Sequence, residues 1–378
     1  MAKTTDRVLS LDIFRGLTMA MMIMVNNQSG QAFEAMRHKP WDGCTPTDLV
    51  FPSFLFIVGV SMWFSYRKTD HVLTGDTTLR LLKRGALIFL VGILLQMFPF
   101  WDFNNGGWRS IDTMRIMGVL QRIGLAFFVG GVMALWLKTY RRILTAIGVI
   151  LVGYWLGVEL LGDSTREGFI GCRIDRFLLG EKHLYRPAQS FDPEGLFSTI
   201  PAVATVLLGY VTGKFVGENR ASGGGADSRM KVLGTLGIAG GLSILTALAL
   251  NTVVPINKPI WSSSYVLYAG GIAMLLWMVL LWFYDYRGGR FGATFGAVFG
   301  TNTLFSYVLA GVLMRIIGLP FFRFQIGEDR FTIYSWWARQ LGEIMPPQLA
   351  ALLASMTLVA VIWGIVYPLY RKRIFIRL

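Results

Sequence analysis

Charge is scarce in this chain. Only 15% of its 378 residues are Asp, Glu, Lys or Arg, and 54% are hydrophobic. A soluble domain carries about a quarter charged residues. The mean hydropathy of +0.52 therefore points to an integral membrane protein. Cysteine is nearly absent: Cys44 and Cys172 allow one bridge in an oxidising compartment but no disulfide framework. Histidine occurs three times, with no HExxH, no CxxC and no His pair at ligand spacing, so no metal site is expected. No GxSxG or Walker-type loop occurs. The opening MAKTTDRVLSLDIFRG sets acids and arginines in the first apolar run without a small-residue cleavage site, which argues against a cleaved signal peptide.

Long apolar runs fill the rest. A membrane-spanning helix needs about 20 mainly apolar residues, and about ten such runs are present. They lie near residues 11–27, 47–65, 85–100, 115–137, 143–161, 195–217, 232–254, 264–284, 292–316 and 348–370. They are too long for barrel strands and lack a period of two, so the expected fold is all-α, a polytopic transmembrane helix bundle. We expect one transmembrane domain over residues 1–378, without inverted repeats. Closely spaced glycines such as Gly237, Gly240 and Gly241 suit close helix contact. The stretch 217–229, GENRASGGGADSR, reads as a flexible linker.

The net charge of +14 is spread in short clusters between the apolar runs. They include Arg67, Lys68, Arg80, Lys83 and Arg84, then Lys138, Arg141 and Arg142, then Lys214, Arg220, Arg229 and Lys231, then Arg287 and Arg290, and last Arg371, Lys372 and Arg373. Ten spans put all of these and both termini on one side, which is the cytoplasmic side by the charge bias. This dispersion argues against nucleic-acid binding. It leaves the loops 101–114, 162–194, 254–263 and 318–346, and the loop that holds His38, on the outer side.

That first outer stretch, residues 26–51, concentrates polar groups at the mouth of the bundle, where they are costly and by default functional. Asn26 and Asn27 end one apolar run; His38, Trp41, Asp42 and Asp48 precede the next. Imidazole titrates near neutrality and serves as a proton acceptor. Asp can fix its tautomer, and Asn can donate to a developing oxyanion. A histidine that only hydrogen-bonds at headgroup level is the plainer alternative. His71 is expected to be solvated in a cytoplasmic loop. Asp12 and Arg15, three residues apart, are expected to pair. Arg115 and Arg122, seven apart, would share one helical face, for ion pairing or for binding an anion. Asn257, Lys258, Trp261, Ser262, Ser264 and Tyr265 cluster before another span; they suit interface anchoring, or a sugar or pyrophosphate. Asp192 and Glu194, in FDPEG, read as the acidic first turn of a helix.

In order along the chain, RVLSLDIFRG (7–16), VNN (25–27), H-x-x-W-D-G (38–43), DLVFP (48–52), R-I-x-G-V-L-Q-R (115–122), I-D-R-x-L-L-G-x-x-H-L-Y (174–185), FDPEG (191–195), N-K-x-x-W-S-x-S-Y (257–265) and G-x-N (300–302) resemble the heparan-alpha-glucosaminide N-acetyltransferase family, in its shorter bacterial form. The resemblance implies transfer of an acetyl group from cytoplasmic acetyl-CoA to the amine of a glucosamine-type sugar across a bacterial inner membrane. It assigns catalysis to His38 and Asn26, with Asp48 beside them; Asn27 is the rival for the asparagine role. His38 acts either as general base or as an acetyl carrier. Acetyl-CoA contacts are expected from Arg15, Arg115, Arg122, Lys258, Trp261 and Ser262. Acceptor contacts are expected from Asn27, Trp41, Asp42, Asp192, Glu194 and Tyr265. Expected partners are acetyl-CoA, the amino sugar, membrane lipid and a second copy of the chain. The rival class is an amino-sugar or ion-coupled transporter, with His38 and Asp48 as a proton relay.

Overall fold

The computed structural model describes residues 8–28, 31–103, 105–185, 187, 191–221 and 225–376. These residues form thirteen α-helices and two small hairpins. The apolar runs become α1 (Leu9–Asn26), α2 (Val50–Tyr66), α3 (Gly75–Met97), α4 (Val119–Leu137), α5 (Tyr140–Leu161), α7 (Thr199–Ala221), α8 (Ala226–Leu250), α9 (Ser263–Leu280), α10 (Ala293–Thr301), α11 (Thr303–Ile317) and α13 (Pro347–Arg371). Two shorter helices, α6 (Ile170–Leu179) and α12 (Ile333–Ile344), lie in the connections. Hairpin β1 (Trp101–Asp102) with β2 (Gly107–Trp108) and hairpin β3 (Phe324–Ile326) with β4 (Asp329–Phe331) complete them.

The fold is an all-α bundle. Among the described residues eight helices are long and apolar enough to cross a membrane unaided, and α10 with α11 passes the same test only as a pair, bent by 82°, the form of a broken span or a re-entrant loop. The expected span at 85–100 is α3, which has the length, 23 residues, but carries Arg80, Lys83 and Arg84 in its first half. Long basic side chains near a helix end reach back to the headgroups. The expected linker at 217–229 is mostly helical: α7 runs on to Ala221 and α8 begins at Ala226. Its residues 222–224 lie outside the described residues. The outer loops likewise hold structure of their own, α6 in one and β3, β4 and α12 in another.

Helix starts follow local chemistry. Thr74 caps α3 by accepting from the Thr77 amide, and Ser262 caps α9 by accepting from the Tyr265 amide at 3.3 Å. Pro347 opens α13, where its missing N–H costs nothing. Close contact falls to glycine: a Cβ on Gly16 would sit 1.8 Å from the Gly296 carbonyl oxygen, and one on Gly59 would sit 1.9 Å from that of Val206. So α1 packs backbone to backbone on α10, and α2 on α7.

The loops sort to two ends. At the basic end Asp285 accepts from the Leu9 and Ser10 amides and pairs with Arg220 at 3.2 Å, while Lys214 donates to the Lys138 carbonyl at 2.7 Å. The opposite end gathers residues 31–49, β1–β2, α6 and the 251–262 turn. His71 is not simply solvated. It is half-buried and stacks on Trp63 with ring centroids 3.5 Å apart, and burial beside Lys214 depresses its pKa to about 4.

Candidate active site

The polar site at the second end is built on a short turn. Thr45, Pro46, Thr47 and Asp48 form a capping box and a 3-10 turn that leads into α2. Asp48 is fully buried. Its Oδ2 accepts from the amides of Thr45 (3.0 Å) and Lys39 (3.2 Å) and from the Thr45 hydroxyl (3.0 Å). Its Oδ1 is thereby left for His38, whose Nδ1 lies 2.7 Å away. Lys258 comes from the turn before α9, with Nζ 2.9 Å from His38 Nδ1 and 3.5 Å from Asp48 Oδ1. Burial draws Lys258 below the ordinary lysine range, against the pull of Asp48 and Glu194. Tyr265 supports the turn from behind: fully buried, it donates to the Asp48 carbonyl at 2.5 Å.

A second cluster stands beside the first. Arg115 donates from Nε and Nη2 to Asp192, at 2.9 and 2.5 Å, and from Nη2 to Glu194 at 2.5 Å. Burial opposes the Arg115 charge, but the two acids outweigh it and raise its pKa further. Burial would raise Glu194 as well, yet Arg115, Arg122 and Lys258 together hold it below the usual carboxylate range. His183 positions the segment that carries Arg115, with its Nδ1 2.6 Å from the Met114 carbonyl oxygen. Two expectations are corrected here. Arg115 and Arg122 do not share a helical face, because α4 starts only at Val119, after an extended Gly118. Asp192 and Glu194 are not in the first turn of a helix; FDPEG is a turn ahead of α7, folded around Arg115.

Two cavities run into the bundle. The larger, about 530 Å³, opens among basic-end residues and is lined by Asp12, Arg15, Ser61, Tyr66 and Arg84, with Phe375 and Ile376 at its edge. The smaller, about 270 Å³, lies at the second end and is lined by Asn26, Asn27, Gln96, Arg115, Gln121 and Arg315. Val119, Leu120 and Tyr307 border both.

The family model described as heparan-alpha-glucosaminide N-acetyltransferase, catalytic, matches residues 7–246. The chain belongs to the heparan-alpha-glucosaminide N-acetyltransferase family. It is 30% identical to the human heparan-alpha-glucosaminide N-acetyltransferase over 356 residues, 80% of this chain and 52% of that protein. To the mouse enzyme of the same name it is 29% identical over 363 residues, 81% and 53% of the two chains. The chain thus spans about half the length of these relatives. This is a family of membrane acetyltransferases, in keeping with the helical bundle.

Within this N-acetyltransferase frame the expected residues separate by place. His38, Asp48 and Lys258 form one contact set. Asp192, Glu194 and Arg115 form the next. Arg15 lies in the large cavity, with Nη1 3.3 Å from Asp12, as the three-residue spacing predicts, and further bonds to Ser61 and the Gly300 carbonyl. Asn26 and Asn27 line the small cavity. Asn27 donates to its own helix at Ile23, while no hydrogen bond ties down the Asn26 carboxamide among the described residues. Arg122 is fully buried, bonded to the Gly195 carbonyl and the Ser198 hydroxyl, and lies 4.9 Å from the centre of the Trp261 ring. Trp261 and Ser262 are buried with it. Trp41 donates to the Ser164 carbonyl at 2.9 Å, and Asp42 accepts from Asn257 at 3.1 Å. Cys44 and Cys172 are free thiols. Thr45, Tyr307, Gln96 and Gln121 were not anticipated from the sequence. The T-x-x-D capping box was legible locally; Gln121 stood inside the quoted R-I-x-G-V-L-Q-R motif without being singled out, and Tyr307 and Gln96 gave no such signal.

Proposed function

We propose that the chain moves the acetyl group of acetyl-CoA from the basic, cytoplasmic end of the bundle to the amine of a glucosamine-type sugar at the outer end. The setting is a bacterial inner membrane with both chain termini in the cytoplasm. One observation carries this reading: a cavity toward each end of the bundle, the two divided by a shared wall of Val119, Leu120 and Tyr307. A long donor enters by one and a compact acceptor by the other. Arg15 and Arg84 suit the anionic CoA, whose phosphates favour arginine. The pantetheine arm and thioester follow the larger cavity inward.

His38 is the base. With Nδ1 protonated and donating to Asp48, its Nε2 carries the lone pair that removes a proton from the attacking amine. The amine nitrogen bonds to the thioester carbon, the C–S bond breaks, and the proton held by His38 goes to the departing thiolate. Asn26 donates to the oxyanion of the tetrahedral intermediate, and its carboxamide is unengaged. Glu194 and Asp192 hold Arg115, which lines the smaller cavity on the acceptor side.

The test is turnover of acetyl-CoA with amino-sugar acceptors by the purified full chain. His38→Ala should abolish transfer with acetyl-CoA binding retained, and Asn26→Ala should slow it by roughly 10²–10³-fold, the scale of one lost oxyanion donor. Wild-type turnover by the His38→Ala protein would remove His38 from the mechanism. Acetyl label trapped on His38 without acceptor would change its role from base to nucleophile.

A further inference from the structure

The small cavity holds two carboxamides whose hydrogen bonding is incomplete. Gln121, 1% exposed, has no partner for Nε2 among the described residues. Gln96 donates from Nε2 to the Met117 carbonyl at 3.1 Å, which fixes its orientation, and its buried Oε1 accepts nothing among the described residues. A buried polar group left unpaired costs about 1–3 kcal/mol, so native sites seldom keep one without a reason. The backbone around them has been cleared. A Cβ on Gly92 would lie 2.5 Å from Gln121 Oε1, and one on Gly118 would lie 2.4 Å from Gln96 Nε2 and 2.9 Å from Gln121 Oε1. Both glycines line the same cavity, together with Asn26.

One unused donor and one unused acceptor, on two side chains that line one small chamber, have a simple complement. A hydroxyl accepts from an N–H and donates to a carbonyl through the same oxygen. We infer that Gln121 and Gln96 bind a single hydroxyl of the acceptor sugar and so set which ring position faces the acetyl group. A carboxylate or phosphate would satisfy Gln121 but repel Gln96 Oε1, and an ammonium would do the reverse. The pair of glutamines, as distinct from Arg115 and Arg315 in the same lining, therefore selects a neutral alcohol. This inference rests on the acceptor reading above and adds the residues that choose the sugar.

The test uses the purified full chain with acetyl-CoA, glucosamine and its 3-deoxy, 4-deoxy and 6-deoxy forms. Wild type should lose about tenfold in kcat/KM with one of the deoxy sugars, the scale of one hydrogen bond. Gln121→Met and Gln96→Met should each lose about tenfold with glucosamine and nothing further with that deoxy sugar. Their KM for acetyl-CoA should not change. Equal wild-type rates with all the sugars, or penalties that multiply in the variants, would mean that the glutamines hold only an ordered water or support the helix contact. The deoxy series on wild type decides this even where a variant fails to fold. If wild type acetylates no amino sugar, the transfer reading falls by itself. Equilibrium binding of glucosamine then decides the glutamines: binding about tenfold weaker in the variants sustains them, and equal or absent binding overturns them.

Discussion

A single ring nitrogen at His38 faces two partners, and they are not equivalent. When Nδ1 carries its proton it donates to Asp48 at 2.7 Å, and Lys258 steadies the same carboxylate from 3.5 Å. When Nδ1 is bare, Lys258 donates to it instead and Nε2 holds the proton. Only the first arrangement leaves a base pointing away from Asp48. Asp48→Asn weakens that preference and should lower kcat by up to about 10⁴-fold, as with other carboxylates that fix a histidine tautomer. Little change in kcat would assign the tautomer to another group. Asp175 offers a different reading. It is buried, accepts from the Phe197 amide at 3.1 Å, and burial pushes its pKa up to about 6 from 3.8. The folded protein therefore holds this proton more firmly than the unfolded chain. Between about pH 4 and pH 6 its contribution to stability falls as pH rises, and above that window the loss is complete. Asp175→Asn should be more stable relative to wild type at pH 7 than at pH 4, by on the order of 3 kcal/mol. Thermal unfolding at the two pH values checks it; a difference that does not vary with pH would refute it. The sequence made His38, Asp48 and Asn26 legible because scarce polar groups stood at span ends. Their partners were not: Lys258 lies 220 residues from His38, and Glu194 lies 79 from Arg115. No local pattern encodes those pairings.

Helices were legible where apolar length alone decides them, and misread where a neighbour decides. Residues 292–316 read as one span, yet the chain bends by 82° between α10 and α11. Asn302 sits at the bend. Its Nδ2 donates to the Ile374 carbonyl at 3.1 Å and its Oδ1 accepts from the Ile376 amide at 2.8 Å. The bend thus holds the segment after α13, and Ile376 edges the larger cavity. Asn302→Ala removes both bonds from a fully buried position. It should cost about 1–3 kcal/mol, and the amide of residue 376 should exchange hydrogen faster than in wild type. Unchanged exchange there would mean that packing of Phe375 and Ile376 holds the segment without Asn302. The same dependence on neighbours explains FDPEG. Its acids suited a helix start by composition, but the half-buried Arg115 guanidinium claims them, and α7 begins four residues after the motif with Thr199.

Across the whole molecule the function turns on sidedness. Basic clusters gather at one end, and the charge bias is the ground for proposing that this end is cytoplasmic. Burial pushes the Cys44 thiol up to about 12 and that of Cys172 to about 11, so both stay protonated near neutrality. Thiolates, not thiols, react with maleimides. A single Gly225→Cys, at the exposed start of α8, should then be the reactive thiol in an otherwise native protein. In vesicles of known orientation an impermeant maleimide should label it from the cytoplasmic side alone. The same vesicles test whether the two cavities act as one passage. Acetyl-CoA supplied only on the Gly225 side should acetylate an impermeant amino sugar held on the other. A soluble-type site would instead need both substrates on one face. Transfer only when acetyl-CoA and sugar share a side would break the passage through Val119, Leu120 and Tyr307, even if labelling had shown the orientation correct. Transfer across the bilayer, lost in His38→Ala vesicles that label normally at Gly225→Cys, would tie chemistry at the outer end to a donor that never leaves the cytoplasm.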